Sequence, residues 1–220
     1  MNAELMIDEV LDIVDDPSFD REDDVLKYLN LGQVSAAAKL LIPGLSDGYD
    51  TVATLVDAYK APAPADYMKM VHSVSVVGRP VRLCRNFADL VQRYEGLSLG
   101  TGEVGAVVIS AGQVFYQPVP AVSVDIELFY YRLPTPMTDS LTSFPDGLGS
   151  TMQAAMDNYS QALIHFAASQ LYSKIEQGIE GAKVDTQYHF ALYNELLAQF
   201  NLGHCEEIVH PAPAVGEVNW

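Results

Sequence analysis

Near the C-terminus, His204-Cys205-Glu206-Glu207-Ile208-Val209-His210 is the chain's densest set of metal-binding side chains. Imidazole, thiol and carboxylate sets of this kind bind zinc, so His204, Cys205, Glu206 and His210 define a candidate metal centre, and with it a small metal-dependent hydrolase. The spacing matches neither a zinc finger nor an HExxH helix, and Gly203 ends a helix just before it. Closed structural zinc sites draw on well-separated ligand pairs, so the segment reads instead as an exposed helix terminus with a half-buried cysteine.

Other chemistry-bearing residues are no better placed. GLSLGTGEVG, residues 96–105, is glycine-rich but leads into a strand and brings no lysine. A phosphate cradle opens a helix, so this is a loop. Ser110, Ser150 and Ser160 lack a G-x-S-x-G elbow. Cys84 lies between arginines in RLCRN, where cationic neighbours could lower a thiol pKa; packing in a strand or at a helix start explains it as well and is preferred. His72 falls in a strand and His165 and His189 in helices, where packed or surface roles are expected. No catalytic residue, cofactor or metal is assigned.

Charge narrows the possibilities further. The net charge of -17 opposes tight binding to duplex DNA or to an anionic membrane, since both require a basic surface. The charge is uneven. Ten acids against Arg21 alone fall between Met1 and Asp24, while Arg79, Arg82, Arg85 and Arg93 crowd one short window. Such polarity suits head-to-tail contacts between copies or with a partner, although solvation alone also accounts for acidic surface. Cys84 and Cys205 stand far apart with no CxxC pairing, which fits synthesis in a reducing cytoplasm. MNAELMIDEVLD lacks the basic and apolar regions of a signal peptide, and no apolar run of about 18 residues suggests a membrane span. A soluble intracellular product is expected.

The elements that must position these residues follow from periodicity. Leu5, Met6, Val10, Ile13 and Val14 make a helical stripe over 4–15 that Pro17 stops. Ser18 or Asp20 can cap a second helix with Val25, Leu29, Ala36 and Leu40 on one side, ending at Pro43-Gly44. From Tyr49 the pattern turns to strands: TVATLV, MVHSVSVVG, EVGAVVIS, QVFYQPV and VDIELFYY. Along MVHSVSVVG, Val71, Ser73, Ser75 and Val77 should face one way and His72, Val74 and Val76 the other. Asn86 can cap the short helix FADLVQRYEG, and Ala111-Gly112 suits a tight hairpin. Leu128 to Gly149, LFYYRLPTPMTDSLTSFPDGLG, is a fixed joint handing over to a long helix from Ser150 to about Gln177; a last helix covers about Asp185 to Asn201. HPAPAVGEVNW then ends in the only tryptophan, Trp220, on a spacer that favours extended geometry and suits an interface anchor. The expected class is α+β: a helical bundle built from N- and C-terminal helices (1–48 and 135–203), an inserted antiparallel β region (49–134) and an extended C-terminal arm (204–220).

Three stretches resemble the adaptor, or head-to-tail connector, proteins of tailed bacteriophages. DEVLDIVDD…DREDDVLKYLNLGQVSAAAKLLIPGL is similar to that family's N-terminal helices and Pro-Gly break. PAPADYMKM resembles the start of its β region at Asp66, Tyr67 and Lys69. LFYYRLPTPMTDSLTSFPDGLG resembles its strand-to-helix joint at Tyr130, Tyr131, Pro134, Asp139, Pro145 and Asp146. The resemblance implies a non-enzymatic virion protein, made in the bacterial host cytoplasm, that forms a dodecameric ring joining the portal of the DNA-filled head to a tail or nozzle protein. Another neck or minor virion protein is the nearest alternative. Under this reading Tyr130, Tyr131, Arg79, Arg82, Arg85 and Trp220 are expected at subunit or partner contacts. Asp12, Asp15, Asp23 and Asp24 are expected to line a channel through which DNA passes without sticking.

Overall fold

The computed structural model describes residues 1–15, 22–97, 100–139, 141–147, 153–176 and 184–204. Helices α1 (Ala3–Val14) and α2 (Glu22–Lys39) lead through a 3-10 turn (Pro43–Leu45) into eight strands. These are β1 (Gly48–Ala53), β2 (Lys60–Pro62), β3 (Tyr67–Val76), β4 (Arg79–Pro80), β5 (Arg82–Leu83), β6 (Ala106–Ser110), β7 (Gln113–Gln117) and β8 (Asp125–Arg132). Helix α3 (Phe87–Arg93) interrupts them, and α4 (Gln153–Ile175) and α5 (Val184–His204) follow. The fold is α+β.

Helix α4 packs against α1, α2 and α5. Asn2 caps α1, its Oδ1 accepting from the Leu5 N–H at 3.0 Å. The buried face of α1 is Ala3, Met6, Ile7, Val10 and Val14; Leu5, expected inside, is 53% exposed. Met6, Val10 and Val14 of the expected stripe are buried, while Ala3 and Ile7 take the place of Leu5, Ala3 seating against the loop before α4 with its N–H donating to Ser143 O at 2.8 Å. Helix α2 buries Val25, Leu29 and Ala36 as expected, together with Tyr28 and Gly32. A Cβ on Gly32 would lie 3.1 Å from Phe166, so glycine here sets how closely α2 and α4 approach. Ser18 and Asp20 lie outside the described residues.

The strands form two four-stranded sheets, ordered β1-β8-β3-β4 and β2-β7-β6-β5. They share one core: Val52, Val74, Val76, Ile126 and Leu128 from the first, and Ala61, Val107, Val114 and Tyr116 from the second. Pairing is antiparallel except between β5 and β6, which run parallel. The hairpin from β6 to β7 turns on Ala111 (φ 49°) and Gly112 (φ 70°), both left-handed as a two-residue turn of this twist requires. Asn86 caps α3, accepting from the Asp89 N–H at 2.8 Å. In β3 the expected alternation holds only at its end, where Val74 and Val76 point inward. Three register shifts between Tyr67 and Ser73 break the two-residue period, and His72 is exposed.

Candidate functional site

Where β8 ends, three consecutive side chains lock the sheets to the helices. Successive residues of a strand face opposite sides. Tyr130 therefore enters the β core and Tyr131 the helical core. The Tyr130 hydroxyl donates to Asp66 Oδ1, and burial together with that carboxylate pushes the phenol's pKa up. The Tyr131 hydroxyl accepts from the Ile42 N–H at 2.8 Å and donates to Leu40 O at 3.2 Å. Lys69 Nζ lies 4.6 Å from the centre of the Tyr131 ring and donates to Ala38 O at 3.1 Å and Leu40 O at 2.8 Å. An ammonium there satisfies carbonyls that a helix end leaves open and complements the negative end of α2.

Arg132 completes the lock. Its guanidinium takes both oxygens of Asp146, at 3.1 Å between Nη2 and Oδ1, and reaches Asp47 Oδ1 at 2.8 Å. Burial alone would raise the Asp146 pKa, but the Arg132 hydrogen bonds and the Thr135 N–H outweigh it and hold it at about 2. The Asp146 N–H in turn donates to Gln33 Oε1 at 2.8 Å. Asn30 brackets Met137 from both sides, donating to its carbonyl at 3.0 Å and accepting from its N–H at 2.7 Å. The Gly44 N–H donates to Gly147 O at 2.9 Å. The segment from Leu133 to Gly147 is thus stitched to α1, α2 and the turn before β1. The arrangement ties the end of β8 to both cores.

Tyr130 and Tyr131 were expected at a subunit contact. They are 1% and 0% exposed with both hydroxyls bonded inside the chain, so their side chains brace this chain rather than meet another. The alternation that hides both was legible, but sheet packing on one face and helices on the other was not. Arg79, Arg82 and Arg85 are exposed on the β4–β5–α3 edge; Arg79 pairs loosely with Glu103 at 3.6 Å. Asp12, Asp15 and Asp23 are exposed on α1, its C-terminal end and α2, while Asp24 pairs with Lys174 at 2.8 Å. Trp220, Cys205, Glu206 and His210 lie outside the described residues, and α5 ends at His204. Among the described residues no three His, Cys, Asp or Glu side chains stand together as a metal site, and no helix is long and apolar enough to cross a membrane.

Cys84 is 3% exposed and packs with Leu90, Ala106 and Val108. Burial, with Asp89 next, pushes its thiol pKa up despite Arg82 and Arg93. The arginines do not activate it.

One pair escaped the sequence reading. His165 on α4 and His189 on α5 face each other with their Nδ1 atoms 3.0 Å apart, and the Tyr172 ring stacks on His189. Burial lowers both pKa values; His189 lowers that of His165 further, while Glu9 opposes for His165 and Asp185 for His189. Placing both histidines on the apolar stripes of their helices was the signal available. A histidine kept neutral in the fold binds its proton more readily unfolded, so stability falls as pH drops below about 6.5. His189→Gln should flatten that slope in thermal unfolding followed from pH 8 to pH 5; an unchanged slope would remove the pair as its cause.

Comparison with known proteins adds one positive finding. A family model described as SU10 adaptor protein matches residues 1–207. No curated protein matches the chain.

Proposed function

The chain belongs to the SU10 adaptor protein family; from that premise we propose that it is a structural, non-catalytic bacteriophage virion protein forming a dodecameric ring seated under the portal, joining the DNA-filled head to the tail or nozzle. The observation that carries this reading is the family match running through both the helices and the sheets. The lock at Tyr130, Tyr131 and Arg132 supports it, since a ring under the pressure of packaged DNA needs subunits that hold one shape. We assign residues 1–48 and 135–203 to a helical body, 49–134 to the β region and 204–220 to an arm. The neck of the virion is its place, after synthesis in the host cytoplasm.

In the ring, α1 and α2 turn Asp12, Asp15 and Asp23 toward the channel, and Asp24 lies beside them in its pair with Lys174. A negative wall repels phosphate, so DNA slides without releasing counterions to the protein. Replacing Asp12, Asp15 and Asp23 with lysine should leave assembly intact but give salt-sensitive DNA retention and slow ejection. Ejection at the normal rate from such particles would put the acids elsewhere. The exposed edge at Arg79, Arg82 and Arg85 is assigned to contact with a neighbouring subunit or partner. Particles made without this protein are expected to be filled heads lacking tails; normal tail attachment in its absence would reject the reading.

A further inference from the structure

At the end of the sandwich farthest from the helices lies an open apolar groove of about 650 Å³. Valines 77, 81, 104, 122 and 124 and Pro120 line it, with Arg79 and Glu103 at the rim. Val77 and Val122 are 75% and 67% exposed, a costly arrangement for large aliphatic side chains left in water. Residues 209–220, VHPAPAVGEVNW, lie outside the described residues and beyond the matched region, which ends at 207. They offer valines, prolines and the only tryptophan of the chain, with Glu217 the sole carboxylate side chain and no lysine or arginine. The apolar surface of the segment matches the valines of the groove, while the rim charges Arg79 and Glu103 already pair with each other.

Resting on the ring reading, we propose that the groove receives residues 209–220 of a neighbouring copy, with Trp220 as the anchor. The chain after His204 is long enough to reach a neighbour's groove as well as its own, and the dilution experiment below separates the two. Helix α5 ends at the joint side of the molecule, where Phe200 stacks on Tyr159 near the start of α4. The groove lies one strand length away, about 26 Å for β8 at about 3.3 Å per residue. The sixteen residues after His204 could span at most about 50 Å. That is nearly twice the length of the sandwich and suits a bridge between copies.

Because Trp220 is the only tryptophan, its emission reports its own surroundings. Full-length chain is followed across a concentration series, with mass measured by sedimentation. In parallel, a synthetic peptide of residues 209–220 is titrated with full-length Trp220→Phe chain. The expected result is emission shifted to the blue and shielded from iodide in assembled chain, moving to the red as dilution separates the copies. The peptide's emission should shift to the blue saturably. Val77→Asp with Val122→Asp, both at exposed positions and checked for fold by circular dichroism, should weaken peptide binding at least about tenfold. Peptide emission that never shifts overturns the proposal, as does a blue shift in wild-type chain that survives dilution to monomer. A ring with Trp220 open to iodide rejects the docking and leaves the ring standing. Peptide binding by a chain that never assembles, even with portal, supports the groove and rejects the ring.

Discussion

Asp146→Ala should cost about 3 kcal/mol of stability, which for a chain of this length lowers the melting temperature by about 6 to 12 °C. The loss comes from what the substitution strands rather than from the contact alone. Arg132 is only 20% exposed at its side chain, and without Asp146 its guanidinium keeps the more exposed Asp47 and the Gly44 carbonyl. The Thr135 and Gly147 N–H groups lose their acceptor in the same change. Leaving the Arg132 charge with only its more exposed partner, and two N–H donors without their acceptor, is more costly than removing both partners of a salt bridge. Arg132→Met combined with Asp146→Leu should therefore recover part of the loss. If Asp146→Ala melts with the wild type, the joint is held by packing and the ion pair is incidental. Acid should act on the same contact. The Asp146 carboxyl titrates near 2 when folded and near 3.8 when free, so its contribution is complete above about pH 4 and is lost as pH falls toward 2. Asp146→Asn should be less sensitive to pH across that window.

Gly44→Ala should be at least as damaging, at about 3 kcal/mol. A Cβ there would sit 2.5 Å from Gly147 O and 2.7 Å from its carbonyl carbon. These are backbone atoms with no side chain to swing aside, and the hydrogen bond from the Gly44 N–H to that same oxygen would be forced apart. Gly147→Ala should behave alike for two reasons. Its φ of +93° disfavours any side chain, and its Cβ would meet Ile42 Cγ2 and Leu45 Cγ at 2.8 Å. Gly112→Ala is the control. It has a φ of +70° but nothing within 4 Å, so strain alone should cost about 1 kcal/mol. Urea unfolding of the three variants separates close approach from backbone strain; equal losses would show that the 44–147 contact can give way.

How far the sequence spoke for this arrangement varies with the residue. The joint at Leu128–Gly149 was visible because prolines and aromatics mark a strand running into a fixed loop. The Pro43-Gly44 break was equally visible as a helix end. Neither revealed that Gly44 and Gly147 touch, since that contact lies between segments about a hundred residues apart and follows from no local propensity. The resemblance places the two tyrosines at a subunit contact, and an aromatic pair on a strand fits an interface as well as a core. Only the meeting of sheets and helices on opposite faces of β8 decides between them. Arg132 sat between the recognised residues without drawing notice, because a lone arginine carries no spacing signal until its carboxylates are brought to it. The parallel pairing of β5 with β6 depends on two residues of each strand and leaves no pattern to read. Cys84 shows the opposite case: flanking arginines allow reactivity, the preferred reading is packing, and burial against Leu90 and Val108 agrees with it.

The joint and the proposed assembly meet in one requirement. A subunit in a ring transmits load between its helical body and its β region only if the angle between them is fixed, and the lock from Tyr130 to Asp146 supplies that. Electron microscopy of the purified chain mixed with the portal protein of the same phage tests the account most directly. The account predicts closed rings coaxial with the portal, one subunit per portal subunit, with the acidic faces of α1 and α2 around the opening. Portal particles that stay bare at saturating concentrations of this chain would contradict it.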